Sequence, residues 1–225
     1  MPSAARTSAV LLDLDGTLID TAPDLVAVLN RVLREDRRAP LPYALARNAV
    51  SRGAVGLLRR AYGDTLDAAR LELLRARFLD MYAEMLCINS ILFIELDTFI
   101  EQISERDMRW GIVTNKPRRF TLGLLRALGI DDLTPCIVSG DDLAQRKPHP
   151  EPLLSAAEQL GIDPADCVYV GDAPNDIVAG RAAGMRTVAA AYGYIRPSES
   201  VAAWRADAIA QRPRDVLHAV TGLTA

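Results

Sequence analysis

The sequence predicts an α/β fold: a doubly wound parallel sheet with an all-helical domain inserted after its first strand. Three observations predict it. The apolar run Ala9-Val10-Leu11-Leu12 stops in acids and a glycine, as a buried strand does at the edge of a sheet. From Asp20 to about Leu86 the pattern is helical, with no convincing strand. From Trp110 onward strand and helix alternate, which means parallel strands joined by right-handed crossovers. The chain thus divides into a core of residues 1–19 and 90–225 and a helical insertion of residues 20–89.

The first strand ends in Asp13-Leu14-Asp15-Gly16-Thr17. Asp20-Thr21-Ala22-Pro23-Asp24 then reads as a helix start, with Asp20 or Thr21 as cap and the proline in the first turn. Leu25, Val28, Leu29, Val32 and Leu33 recur at helical spacing, as do Leu71, Leu74, Phe78, Met81, Tyr82 and Met85. Arg31, Arg34, Arg37 and Arg38 read as the solvated face and end of the first helix. Ser51-Arg52-Gly53-Ala54-Val55-Gly56 reads as a small-residue turn carrying one cation. In the alternating half, strands are expected at 110–114, 136–139, 167–171 and 186–191, with a short edge strand at 208–210. Helices are expected at 118–128, 150–160 and 176–183, each stopped by a glycine, and a last one from Pro213.

Composition narrows the function classes. Half of the 225 residues are hydrophobic, enough for a sizeable core, and the net charge of -3 argues against a nucleic-acid partner. Cys87, Cys136 and Cys167 are scattered without metal spacing and suit reduced thiols in a cytoplasm. The N-terminal residues do not read as a signal peptide, because Asp13 and Asp15 interrupt their apolar run. No apolar run reaches the ~20 residues of a membrane helix. The expectation is a cytoplasmic protein, monomer or homodimer, acting without nucleic acid or membrane. Neither a Gly-x-Gly-x-x-Gly nor a Gly-x-x-x-x-Gly-Lys-Ser/Thr loop is present, so no bound nucleotide is expected.

The chemistry gathers at the strand ends, where open α/β sheets bind ligands. The first strand ends in Asp13 and Asp15, the second in Thr114-Asn115-Lys116-Pro117. The third leads to Lys147 before a helix, and the fourth ends in Gly171-Asp172-Ala173-Pro174-Asn175-Asp176. Singly, each has a plain reading as turn, helix cap or surface lysine. Jointly, four strands bring carboxylates, a hydroxyl, an amide and an ammonium to one edge of one sheet. Acids around a hard cation such as Mg²⁺, with one lysine, can hold a phosphate. One carboxylate can act as nucleophile and another as general acid and base.

Asp13-Leu14-Asp15-Gly16-Thr17, Thr114-Asn115, Lys147-Pro148 and Gly171-Asp172-x-x-x-Asp176 resemble the four motifs of the haloacid dehalogenase superfamily of phosphatases, in order and spacing. The resemblance covers nearly the whole chain and implies a Rossmann-like core with a small helical cap. It implies Asp13 as nucleophile, Asp15 as general acid/base, and Thr114 and Lys147 as phosphoryl ligands. It implies a Mg²⁺ ion held by Asp13, the Asp15 carbonyl and Asp172, supported by Asp176. Gly16, Asn115 and, from the cap, Arg52 and Gly53 would meet the substrate, a small phosphomonoester. Asp-Gly-Thr-Leu-x-Asp-Thr-Ala-Pro-Asp and Val-Thr-Asn-Lys-Pro resemble phosphoglycolate phosphatases. Tyr192-Gly193-Tyr194-Ile195, Trp204-Arg205-Ala206-Asp207 and Ser51-Arg52-Gly53-Ala54 are similar to N-acetylmuramic acid 6-phosphate phosphatases of cell-wall recycling. The chain departs from the family at Phe93-Ile94-Glu95-Leu96, where a Phe-x-Gly turn is usual.

The two histidines and two tryptophans carry no expected chemistry: His149 starts a helix, His218 lies in the last helix, Trp110 is strand core and Trp204 packs near the chain end. A non-catalytic binding protein on this fold would have lost one of the acids, and all are intact. A phosphomutase needs cap groups to recapture a bisphosphate, and the cap turn offers Arg52 alone.

Overall fold

The computed structural model describes residues 7–63, 66–93 and 96–223. Strand β1 (Ala9–Leu12) lies in the middle of a six-stranded sheet and is fully buried. It is flanked by β4 (Arg109–Val113) and β6 (Cys167–Gly171), then by β5 (Ile137–Val138) on one side and β7 (Arg186–Ala190) and β8 (Ala208–Ala210) on the other. Every pairing in the sheet is parallel, and helices cover both faces. Side chains alternate accordingly. Val10 and Leu12 pack with α5 (Leu96–Ser104), α6 (Arg118–Ala127) and α9 (Val216–Gly222). Ala9 and Leu11 pack with α7 (Glu151–Leu160) and α8 (Pro174–Ala182) on the opposite face. This is the doubly wound sheet that the alternating pattern predicts. Expected boundaries move by one or two residues, and the last helix opens with a 3₁₀ turn at Pro213–Asp215.

Between β1 and β4 in sequence lie α1 (Ala22–Glu35), α2 (Tyr43–Arg47), α3 (Gly53–Tyr62) and α4 (Ala68–Glu84). They close on a hydrophobic cluster of their own around Leu29, Leu57, Leu58, Phe78 and Tyr82, joined by Phe120 and Tyr194. Each such buried side chain is worth ~1.5–3 kcal/mol, so these helices are held by a cluster distinct from the two that flank the sheet. No helix among the described residues is long and apolar enough to cross a membrane.

Four details differ from expectation. A two-residue antiparallel pair, β2 (Ile19–Asp20) with β3 (Ile91–Leu92), joins the two ends of the helical segment. Helix α5 lies in a stretch where no element is expected from the sequence. Ser51–Gly56 is not one turn: a 3₁₀ turn at Val50–Arg52 runs into α3, and the break is Gly53 at φ +63°, a conformation that disfavours a side chain. Neither Asp20 nor Thr21 alone caps α1: the Tyr194 hydroxyl, remote in sequence, accepts from Thr21 N at 2.7 Å and Ala22 N at 3.0 Å. The second connection is also locked. Buried Asp24 accepts from the backbone nitrogens of Asn89 (2.8 Å) and Ser90 (2.9 Å) and from the Ser90 hydroxyl (2.7 Å). The unusual Phe93–Leu96 stretch falls partly outside the described residues, at 94–95.

Candidate active site

Because the central strands run parallel, their carboxyl ends meet at one edge. Asp13 follows β1, Thr114 follows β4 and Asp172 follows β6, while Lys147 comes from the loop after β5. The Lys147 ammonium is the hub. It donates to Asp13 Oδ1 at 2.8 Å and to the Val113 carbonyl at 3.0 Å, and lies 2.7 Å from Asp176 Oδ1. The Tyr169 hydroxyl, 2.5 Å away, accepts from it in turn. Lys147 and Asp176 side chains are each 2% exposed. Ion pairs of this depth survive only when every donor and acceptor is matched.

One ammonium here serves several acids. Burial pushes the Asp13 carboxyl up to about 6; Lys147 pulls it down, while Asp176 and Asp15 push it further up. Burial, then the charges of Asp13 and Asp176, hold Asp172 well above the usual carboxylate range. Burial pulls Lys147 down, yet Asp13 and Asp176 more than restore it and its ammonium is held above its ordinary value. The cluster is thus short of positive charge. Oxygens of Asp13, Asp172 and Asp176 lie within 4.8 Å of one another, and Asp172 Oδ1 is buried with no hydrogen-bond partner. An orphaned buried carboxylate oxygen beside two further acids fits a hard, oxygen-ligated divalent cation.

Asp15 stands apart from that cluster. Its Oδ1 accepts from the Thr21 hydroxyl at 2.5 Å and from Lys116 Nζ at 3.0 Å. Above these groups opens a cavity of about 430 Å³. Its sheet side is lined by Asp13, Asp15, Thr114, Asn115, Lys116, Lys147 and Asp176, and its helical side by residues 51–55, Phe78, Leu79 and Tyr82. Arg75 and Arg146 add cations at the wall.

Most of the residues singled out in the sequence therefore meet at one cavity, with two differences of role. The Asn115 amide is spent on the backbone of Lys147, donating to its carbonyl at 2.9 Å and accepting from its nitrogen at 3.0 Å, so it positions the lysine. Gly16 is not on the cavity wall. At φ +88° it packs against Asp172, and a β-carbon there would lie 2.2 Å from Asp172 Oδ2. Asp172 Oδ2 in turn accepts from Tyr194 N at 2.8 Å and from the Ser51 hydroxyl at 3.2 Å. Arg52 and Gly53 do reach the cavity.

Sequence reasoning missed Tyr169, Lys116, Tyr82 and Arg75. Tyr169 had a signal: a phenol in the otherwise apolar strand Cys-Val-Tyr-Val-Gly needs a partner for its hydroxyl. It donates to the Val113 carbonyl at 2.8 Å.

A family model of haloacid dehalogenase-like hydrolases matches residues 7–184. The chain is 40% identical over 212 residues to the N-acetylmuramic acid 6-phosphate phosphatase of Pseudomonas aeruginosa, covering 94% of each. It is 42% identical over 205 residues to the phosphoglycolate phosphatase of Xanthomonas campestris pv. campestris, covering 91% of this chain and 92% of that one. The crystal structure of a predicted phosphoglycolate phosphatase from Haemophilus somnus superposes with a TM-score of 0.82 at 29% identity, covering 94% of this chain and 96% of the other. The family model spans most of the chain and relatives at about 40% identity cover more than nine-tenths of it: the chain belongs to the haloacid dehalogenase-like hydrolases.

Proposed function

We propose that this chain is a Mg²⁺-dependent phosphomonoesterase whose substrate is N-acetylmuramic acid 6-phosphate, which places it in peptidoglycan recycling. The carrying observation is the cavity over Asp13. At about 430 Å³ it lies in the ~300–1,000 Å³ range of pockets that enclose ligands far larger than a two-carbon phosphoester. Its helical side offers apolar surface from Phe78, Leu79 and Val55 for a sugar and its acetyl group, and Arg52 to pair with the lactyl carboxylate. The relative from Pseudomonas aeruginosa supports this reading. Phosphoglycolate is the second reading, favoured by the relative from Xanthomonas campestris, and it too carries a carboxylate for Arg52.

In this reading Asp13 attacks phosphorus, an aspartyl-phosphate bond forms, and the bond to the sugar oxygen breaks. Asp15 gives the departing alkoxide its proton. Asp15 then takes a proton from water as the water oxygen attacks phosphorus, releasing phosphate and restoring Asp13. Lys147 and Thr114 meet the phosphoryl oxygens. Asp13 and Asp172, supported by Asp176, would hold Mg²⁺; bound there, it supplies the positive charge that the carboxylate cluster lacks. The helical segment of residues 20–89 covers the site as a cap on the core of residues 1–19 and 90–225, so selectivity lies in that cover. The test is kcat/KM for N-acetylmuramic acid 6-phosphate against phosphoglycolate, with the former favoured by at least about tenfold, or ~1.4 kcal/mol.

A further inference from the structure

We propose that Lys116 is a positioning residue that fixes the Asp15 carboxylate and ties it to the helical block through Tyr82. This rests on the reading of Asp15 as the proton donor to the leaving group.

Lys116 sits two residues beyond Thr114, on the loop after β4, and is 8% exposed. Its backbone is anchored to the core: its nitrogen donates to the Thr114 hydroxyl at 3.2 Å, and its carbonyl accepts from Gly140 N at 2.8 Å. Its ammonium reaches away from that anchor. It donates to Asp15 Oδ1 at 3.0 Å and to the Tyr82 hydroxyl at 2.9 Å, and lies 4.7 Å from the centre of the Tyr82 ring. Tyr82 belongs to α4 and is itself immobilised, 1% exposed and packed on the Phe120 ring with centroids 5.1 Å apart.

Burying an ammonium costs several kcal/mol unless a charge and hydrogen bonds compensate. The phosphoryl group already has Lys147, and the ion pairs found among the described residues give Lys116 one anionic partner, Asp15. A lysine kept at that cost, with its backbone on the core and its tip on α4, does one thing no apolar residue would do. It holds the Asp15 carboxylate at a fixed place on the cavity wall while the helical block is docked. The Thr21 hydroxyl fixes the same oxygen from the other side, at 2.5 Å. With both donors on Oδ1, Oδ2 is the oxygen that carries the proton to the leaving group, and its orientation matters when that group is a poor one.

The experiment compares esters that differ in their need for that proton. N-acetylmuramic acid 6-phosphate and N-acetylglucosamine 6-phosphate release alkoxides; p-nitrophenyl phosphate releases a phenolate that needs no proton. Because kcat/KM reports the steps through the first P–O cleavage, it isolates this role. Lys116→Met is expected to lower kcat/KM for both sugar phosphates by about ten- to a hundredfold and for the aryl ester by less than about threefold. Tyr82→Phe, which removes one hydroxyl and keeps the buried ring, is expected to show the same split at about three- to tenfold; it decides the matter if Lys116→Met does not fold. Equal losses on alkyl and aryl esters overturn the proposal. So does a loss confined to the muramic acid ester, which would make Lys116 a carboxylate contact. A wild-type protein that hydrolyses none of the three esters would instead overturn the function proposed above, and this role with it.

Discussion

Lys147 and Arg52 line the same cavity, and they are held on opposite terms. Lys147 is buried, with Asp13, Asp176, Val113 and Tyr169 all within hydrogen-bonding distance of its ammonium and its backbone clasped by Asn115. Arg52 is exposed at the start of α3, beside Ser51 and Gly53, which are exposed too. The sheet side of the cavity is over-determined, whereas on the helical side buried Phe78 and Tyr82 give way to an exposed rim at residues 51–53. Under the proposed function, the contrast follows from what each must do. Stabilising charge as it develops in the transition state requires dipoles and charges already in place, since any reorganisation is added to the barrier. Recognising a leaving group requires shape and a few polar contacts, which exposed side chains supply.

Removing the proposed nucleophile should break the sheet side most severely. Asp13→Asn is expected to lower kcat/KM by about 10⁴-fold or more, ~5.5 kcal/mol, with an unchanged circular dichroism spectrum. A purified variant that keeps a tenth of wild-type activity would remove Asp13 from that role. Next is Lys147→Met, measured by urea unfolding in chelator. It leaves buried carboxylates unpaired and is expected to cost ~3–5 kcal/mol, whereas Arg52→Met should stay within ~0.5 kcal/mol of wild type. Similar costs at the two positions would dissolve the contrast between the walls.

Metal binding sharpens the comparison from the charge side. Asp13 has a folded-state pKa of about 6, above its ordinary 3.8, so without metal the folded state binds that proton more tightly than the unfolded chain does. This contribution to stability is fully present below about pH 3.8 and is lost as the pH rises through about 6. Asp172 acts in the same direction. A divalent cation competes with those protons and should therefore stabilise most at neutral pH. At a hundredfold excess over its dissociation constant, Mg²⁺ is expected to add ~2.7 kcal/mol at pH 7.5, raising Tm by ~5–10 °C. The shift should be smaller at pH 5 and absent in Asp172→Asn. An identical Tm with and without Mg²⁺ at pH 7.5 would argue against the carboxylate cluster as its site.

What was legible in the sequence follows the same division. The acids after β1 and β6, Thr114 and Lys147 stand in short motifs, because strand-end geometry and charge chemistry dictate residue type locally. The sheet was legible because β1 and β6 are nearly unbroken apolar runs, and β4 and β7 carry polar residues only at their starts. What escaped detection depends on partners far apart in the chain. β2 and β3 have two residues each and no periodicity, and they exist because Ile19 and Leu92 meet across the whole helical block. The cap of α1 is a phenol more than 170 residues away. Asn115 clasps the Lys147 backbone and Gly16 makes room for Asp172, roles that their motif positions do not distinguish from substrate contact. Lys116 stands within the Thr114–Pro117 motif, but its meaning lies in Tyr82, which helical periodicity marks only as core.

The most direct measurement of the central claim, chemistry on the sheet and selectivity on the helical block, is kcat/KM for N-acetylmuramic acid 6-phosphate and for phosphoglycolate in the wild type and in Arg52→Ala. The wild type is expected to favour the muramic acid ester by at least about tenfold, and Arg52→Ala to lose several-fold on both carboxylated esters while keeping its rate on p-nitrophenyl phosphate. A wild-type preference for phosphoglycolate, or an equal loss on the aryl ester, would contradict it.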